Sequence, residues 1–295
     1  MDDGVILQWL NSDHLPGLFC SYAQNFEDVI LARVLTGNTG FYIDAGANDP
    51  EFHSVTKHFY DKGWSGVNIE PHRGFYQRLR AGRPRDVNLN MGLSDRETVV
   101  TFHEEPSGTG VSSLTEIFAD WNVGKTVEDR PIAVTTLARI CEQYADRQID
   151  FLKIDVEGVE RPVCEGGDWV RYRPRIVLIE APWTEYFEDW DSWFQARDYL
   201  FAYFEGINRF YVRSEDRDLI PTLAVPYNSL DRAIPYQQVR LIRLLQQQLV
   251  ESKRREWKQI FRPVKRVSRR FPGVTSRVKQ LFGRAFRRGH DFRHN

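Results

Sequence analysis

The chain has 295 residues, 41% hydrophobic and 27% charged, with a formal net charge of −1. These values fit a soluble globular body with one substantial core and exclude a fibrous or low-complexity chain. Three cysteines, Cys20, Cys141 and Cys164, are too sparse for a disulfide framework, match no metal pattern and fit a reducing compartment.

The first segment, to about Pro16, carries no periodic pattern, and its start lacks the basic and apolar runs of a signal peptide. From Gln24 to Leu35, Phe26, Val29, Ile30, Val34 and Leu35 fall at helical spacing, and Gly37 and Gly40 end the pattern. Phe41-Tyr42-Ile43-Asp44-Ala45-Gly46-Ala47-Asn48 reads as a buried strand ending in an acid. A small-residue turn comes after it, where backbone can approach a ligand closely. Pro50 is placed to open the next helix, which runs through Val55, Phe59 and Tyr60 to a stop at Gly63. A second strand, Gly66-Val67-Asn68-Ile69, ends in Glu70-Pro71 one β-α unit later. An acid there can accept hydrogen bonds from both hydroxyls of a ribose, so the pair of strand ends points to a nucleoside.

A short helix, a strand near Val87–Leu93 and another at Thr98–His103 come next. Residues 104–113, rich in Gly, Ser, Pro and Glu, read as a loop and a candidate lid. Ile132–Thr135 is expected as a strand, Leu137–Tyr144 as a helix and Ile149–Asp155 as a strand. Beyond them lie a helix or turn over Gly158–Gly167 and a β-branched run Ile176–Ile179 ending at Glu180. Tyr199–Phe204 and Arg209–Val212, joined by Glu-Gly-Ile-Asn, read as a hairpin. The alternation predicts an α/β fold: a mostly parallel twisted sheet, helices on both faces and an antiparallel edge hairpin.

The tail differs. Gln237–Ile260 holds no Gly or Pro and reads as a long helix, with Leu241, Leu244, Leu245, Leu249, Trp257 and Ile260 in a narrow stripe. From Arg262 onward, Pro263, Pro272 and Gly273 are expected to break it into short basic-aromatic pieces. Residues 240–295 carry 17 Lys/Arg and 3 Asp/Glu, a balance of +14, against 23 and 38 before them, a balance of −15. Three readings suit this tail. It is an anchor on anionic lipid with Phe261, Phe271, Phe282 and Phe286 at the interface, a binder of nucleic-acid phosphates, or a solvated or partner-binding helix. No stretch reaches the roughly 18 apolar residues of a membrane span. The expected organisation is a lead over 1–19, a body over 20–232 and a basic helical tail over 233–295.

In an open parallel sheet, ligands bind beyond the carboxyl ends of the strands. Asp44, Glu70, Asp155, Glu157 and Glu180 fall there, with Asn48 and Ser94 nearby. One such acid is commonly a helix N-cap; five on one rim are harder to explain that way. The turn from Asp44 to Pro50 lacks the Gly-x-Gly-x-x-Gly of a nicotinamide-binding fold and the Lys-Ser/Thr ending of a phosphate loop. An acid at its start suits a cationic ligand group, such as the amino end of S-adenosylmethionine.

Six ordered blocks then carry a resemblance. They are Ser21-Tyr22-Ala23-Gln24-Asn25-Phe26-Glu27-Asp28, the strand and turn from Phe41 to Asn48, Ser54-Val55-Thr56-Lys57, Gly63-Trp64-Ser65-Gly66-Val67-Asn68-Ile69-Glu70-Pro71, Gly92-Leu93-Ser94-Asp95, and Lys153-Ile154-Asp155-Val156-Glu157-Gly158-Val159-Glu160. Together, over about residues 20–212, the chain resembles the FkbM family of S-adenosylmethionine-dependent methyltransferases. The resemblance implies a Rossmann-like class I methyltransferase fold and O-methylation of hydroxyls, in bacteria often on sugars of surface glycans or on polyketides. It also implies that Asp44, Gly46, Ala47 and Asn48 line the methionine end of the cofactor. Glu70 with Pro71 would take the ribose, and Ser94 with Asp95 would lie near the adenine.

A sulfonium methyl is already electrophilic, so such an enzyme needs mainly positioning and removal of the acceptor proton. Asp155 or Glu157 is the preferred base, with Lys153 orienting a carboxylate. His53 is a second candidate base, its ordinary reading being an exposed loop histidine. Asp155, Glu157 and Glu180 could instead hold Mg²⁺, an oxygen-ligand ion, but metal-free chemistry is preferred. His58 and His103 read as surface or packing residues. Gln24 and Glu27 either reach the active-site mouth or cap a helix. Trp183, Trp190 and Trp193 form either a sugar-binding wall or core packing, with packing the default. The expected acceptor is a sugar or lipid-linked glycan, handled by a cytoplasmic protein peripheral to the inner face of the cell membrane. A nucleic-acid methyltransferase competes, disfavoured by the acidic body and the missing Asn/Asp-Pro-Pro-Tyr/Phe signature. A non-catalytic cofactor-binding scaffold recruited to glycan-assembly proteins is the third possibility.

Overall fold

The computed structural model describes residues 17–108, 112–115, 122–181 and 189–270. In chain order its elements are β1 (Phe19–Ser21), α1 (Glu27–Ala32), β2 (Phe41–Ala45), α2 (Lys57–Asp61), β3 (Ser65–Ile69), α3 (Arg73–Gly82), β4 (Val87–Leu89), β5 (Gly92–Ser94), β6 (Thr98–Glu104) and β7 (Glu128–Thr136). They continue as α4 (Leu137–Tyr144), β8 (Phe151–Ile154), α5 (Glu160–Glu165), β9 (Ile176–Glu180), α6 (Trp190–Gln195), β10 (Tyr199–Phe204), β11 (Asn208–Arg213), α7 (Ile220–Leu223), β12 (Ala233–Pro235) and α8 (Tyr236–Arg270). Two units divide the chain, Met1–Val239 and Arg240–Asn295.

The apolar runs that lack alternation become central strands because both of their faces are covered. Ile43, Ala45, Val67, Ile69, Leu152, Ile154, Val177 and Ile179 pack on one face with Leu137, Ile140, Val163, Trp193 and Phe194 of α4, α5 and α6. Tyr42, Phe151, Ile176, Leu178 and Phe210 point to the other face and meet Ile30, Leu31, Phe59 and Leu223 of α1, α2 and α7. Seven strands in the order β10-β11-β9-β8-β2-β3-β4 form this sheet. The pairs from β9 through β4 are parallel, while β11 runs antiparallel to β9 and β10.

Several expectations shift. The strand expected near Val87–Leu93 splits, β4 joining the large sheet and β5 a second sheet ordered β5-β7-β6. Asn90, at the split, donates its side-chain amide to the carbonyls of Glu70 (2.9 Å) and Pro71 (2.7 Å) instead of continuing a ladder. Pro50 opens no helix; its carbonyl accepts from the buried Arg83 guanidinium (Nη2, 2.6 Å), and α2 begins only at Lys57. The helix expected from Gln24 is confined to α1, because Phe26 is left-handed (φ 63°) and stacks on Tyr227. Finally, α8 passes through Pro263 to Arg270. The proline there forfeits one backbone donor and crowds the carbonyl one turn before it, a cost of about 3 kcal/mol. The side chain of Phe261, with Phe271, Phe282, Phe286 and Trp183, lies outside the described residues.

Candidate active site

From β2 the chain builds β3 and β4 to one side, then returns to place β8 and β9 on the other. Such a switch leaves a crevice beyond the strand ends. Register aligns the rim: Ala45 pairs with Ile69 and Ile154, Ile154 with Ile179, and Glu180 with Asn208. The next residues out, Gly46, Glu70, Asp155 and Glu180, therefore share one edge. A cleft of about 90 Å³ opens there, lined by Gly46, Asn48, Glu70, Pro71, Asp155 and Glu157 among others.

The turn after β2 explains its glycine. Gly46 has φ 79°, and a Cβ on it would lie 1.7 Å from the carbonyl oxygen of Asp155. The N–H groups of Gly46 and Ala47 donate to Ile69 O at 3.0 and 3.2 Å, fastening the turn to β3. Asn48 is also left-handed (φ 51°), and its N–H donates to Glu70 Oε2 at 2.6 Å. The N–H of His72 donates to Glu70 Oε1, also at 2.6 Å. Burial pushes the Glu70 pKa up to about 7, against the pull of those two donors and of Lys153. Each oxygen thus holds one backbone donor and keeps a further acceptor site, since a carboxylate offers about four.

Across the cleft, Lys153 Nζ lies 3.0 Å from Asp155 Oδ2, 3.5 Å from Asp44 Oδ1, and donates to Gly46 O at 3.1 Å. Burial alone would discharge this ammonium, but Asp155 and Asp44 hold its pKa above the ordinary lysine value. Asp44 itself is buried and outside the cleft lining, its other oxygen accepting from Thr56 Oγ1 at 2.8 Å. Glu157 is left-handed (φ 56°), a costly backbone for a glutamate, and Ser113 Oγ donates to its carbonyl at 2.6 Å. The Glu160 carboxylate accepts from the N–H groups of Val156 and Gly158 (3.1 Å each), closing the same turn. Burial, then the neighbouring Asp155 and Glu160, raise the Glu157 pKa to about 7. Burial, then Asp155 and Glu157, hold that of Glu180 well above the carboxylate range, and Glu180 shares a hydrogen bond with Asp155.

Other expected positions fall elsewhere. Ser94 and Asp95 bond to each other (3.1 Å) outside the lining, and the wall near them is made by Met91, Gly92 and Leu93. His53 is exposed in a left-handed turn (φ 55°) and does not line the cleft. Gln24 is exposed, whereas Glu27 is buried, accepting from Asn25 N–H (2.7 Å) and Asn208 Nδ2 (2.9 Å). Trp190 and Trp193 are core residues, edge-on to one another. Among the described residues no group of three or more His, Cys, Asp or Glu side chains is arranged to hold a metal, so Asp155, Glu157 and Glu180 are not gathered as one.

The lining also holds residues to which the sequence reading gave no role of their own, among them His72, Phe75, Met91 and Ser113. His72 caps α3, its Nδ1 accepting from Gly74 and Phe75 N–H (3.1 and 3.3 Å), which leaves Nε2 to donate to Glu105 O at 2.9 Å. Its place just after Glu70-Pro71 and before a helix was a usable signal. Ser113 belongs to the expected lid, but nothing in its neighbours announces a bond to a turn 44 positions away.

The buried acids make stability depend on pH. Burial raises Glu27 to about 8, Asp28 to about 6, and both Glu70 and Glu157 to about 7. Unfolded, all four ionise near pH 4 to 4.5, so between about pH 5 and 8 the native state binds more protons and stability falls as pH rises. The thermal midpoint should be lower at about pH 8.5 than at about pH 6. A flat or rising profile would contradict this account of the acids.

The family model described as Methyltransferase FkbM domain matches residues 44–201, just over half of the chain. No curated protein matches it.

Proposed function

The chain belongs to the FkbM methyltransferase family, and from that premise we propose that it is an S-adenosylmethionine-dependent O-methyltransferase acting on a sugar hydroxyl of a glycan or glycolipid precursor. The observation that carries this reading is Glu70, oriented by two backbone donors at the switch point and facing Asp155 and Glu157 across one cleft. The strand order, with its reversed terminal hairpin, supports a Rossmann-like class I methyltransferase fold.

The residues present fit the cofactor. Glu70 has acceptor capacity left for two ribose hydroxyls. The apolar walls at Phe75, Met91 and Leu93 suit a flat base, and the Gly46–Asn48 turn suits the methionine end. When bound, S-adenosylmethionine supplies an electrophilic methyl group. The chain's own task is to remove the acceptor proton, and Glu157 is placed for it, because a base titrating near 7 serves best near neutrality. Asp155 is held between Lys153 and Glu180 and is assigned to positioning. A rim of carboxylates welcomes polyhydroxylated acceptors and repels phosphate backbones, which favours a sugar over a nucleic acid.

Methyl-labelled cofactor incubated separately with glycolipid, polysaccharide and RNA extracts tests the acceptor. Base-stable label in a carbohydrate fraction is the expected result; label confined to RNA would replace this reading. Calorimetry with S-adenosylhomocysteine tests the cofactor, and Glu70→Gln should bind it about 10- to 100-fold more weakly. Wild-type affinity should tighten as pH rises through about 7 and then level off, because the ionised carboxylate is the acceptor. The variant should show no such step, and one in the variant would remove Glu70 from the role.

A further inference from the structure

Helix α8 spans 35 residues, and from Arg240 onward it belongs to the second unit. At about 100° per residue, positions 242, 245, 249, 260, 264 and 267, all Ile, Leu or Val, fall within about 100° of arc, which they share with Gln246, Lys253, Glu256 and Pro263. Arg243, Arg254, Lys258, Arg262, Lys265 and Arg269 fall on the opposite side. Residues 240–270 hold 11 Lys/Arg against 2 Asp/Glu. Among the described side chains of the apolar side, Leu245 is 56% exposed and Leu249 55%, with Leu241 and Val250 beside them at 56% and 49%, while Ile242 is half-buried. Among the described residues no helix is long and apolar enough to cross a membrane.

We propose that residues 240–270 bind the surface of an anionic phospholipid bilayer, the Leu245–Leu249 side entering the acyl boundary and the basic side meeting the headgroups. A long helix with one apolar and one strongly basic side matches the interface on both counts, burying apolar area and drawing cations to anionic lipid. A second copy of the chain fits less well. Two such helices would each bring 11 Lys/Arg against 2 Asp/Glu into contact, and a strong net charge of one sign keeps chains apart. Nucleic acid would use the basic side alone and leave the leucines exposed. The proposal concerns only the second unit and does not depend on what the cleft binds.

The test is co-sedimentation of the full chain with phosphatidylcholine vesicles, with and without phosphatidylglycerol. Binding is expected only with phosphatidylglycerol, weakening about ten-fold or more between roughly 0.05 and 0.5 M salt. Combining Leu245→Gln with Leu249→Gln should cost about another ten-fold while the melting of the body is unchanged. Equal binding to both vesicle types, no binding to either, or undiminished binding by the double variant would each overturn the proposal. So would self-association abolished by the same substitutions, or salt-sensitive RNA binding, when vesicles are ignored.

Discussion

Glu157→Gln is expected to lower kcat by about 10²–10⁴-fold while S-adenosylhomocysteine binds within about three-fold of wild type. The substitution keeps volume and removes only the ability to take a proton. Its environment marks Glu157 out from the neighbouring acids. It lines the cleft, occupies a strained left-handed conformation secured by Ser113 and Glu160, and titrates near 7. Wild-type kcat should accordingly rise with pH through about 7, the step vanishing in the variant. Asp155→Asn should also slow turnover, but with a second signature: Lys153 loses its closest carboxylate, so thermal stability drops as well. Full turnover by Glu157→Gln, with turnover lost in Asp155→Asn, would transfer the base to Asp155.

Gly46→Ala should lower stability by about 3–5 kcal/mol, or about 10 °C in Tm, and abolish cofactor binding. Two costs add: a left-handed φ of 79° for an alanine, and a methyl carbon 1.7 Å from the peptide oxygen of Asp155, just beyond β8. The second cost can be isolated. Gly124 has the same φ of 79° with nothing within 4 Å of its Cβ position, so Gly124→Ala reports the backbone cost alone, about 1–2 kcal/mol. If both variants melted together, the close contact between the turn and Asp155 would not be what requires glycine.

Part of the rim was legible because its strands are short apolar runs ending in an acid: Ile69-Glu70, Ile154-Asp155 and Ile179-Glu180 lie at strand ends, whereas β2 runs past Asp44 to Ala45 and puts Gly46 at the edge. Hydrophobic patterning cannot say which of those acids faces solvent. Asp44 is sealed by Thr56 and Lys153, a consequence of three separate segments meeting. Arg83 is likewise fully buried, its guanidinium bonded to Pro50 O, Ser54 and Thr56, although its sequence neighbours read as a polar helix end. The second sheet was invisible for a related reason. Leu89 and Gly92 look like one strand until Asn90 is seen to be engaged by the Glu70-Pro71 carbonyls. Tertiary hydrogen bonds decide such cases, and local propensity does not record them.

The pairing of β2 between β3 and β8 bears on how the protein is made. Lys153 and Gly46 are neighbours in space but 107 positions apart along the chain. A ribosome adding about 5–20 residues per second needs roughly 5–20 s to cover that interval. Until β8 is made, the flank of β2 that it will cover lacks its partner, and an unpaired strand edge is a template for pairing with another chain. Soluble yield should therefore rise when that edge is sheltered during synthesis, which co-expression with a chaperone would check.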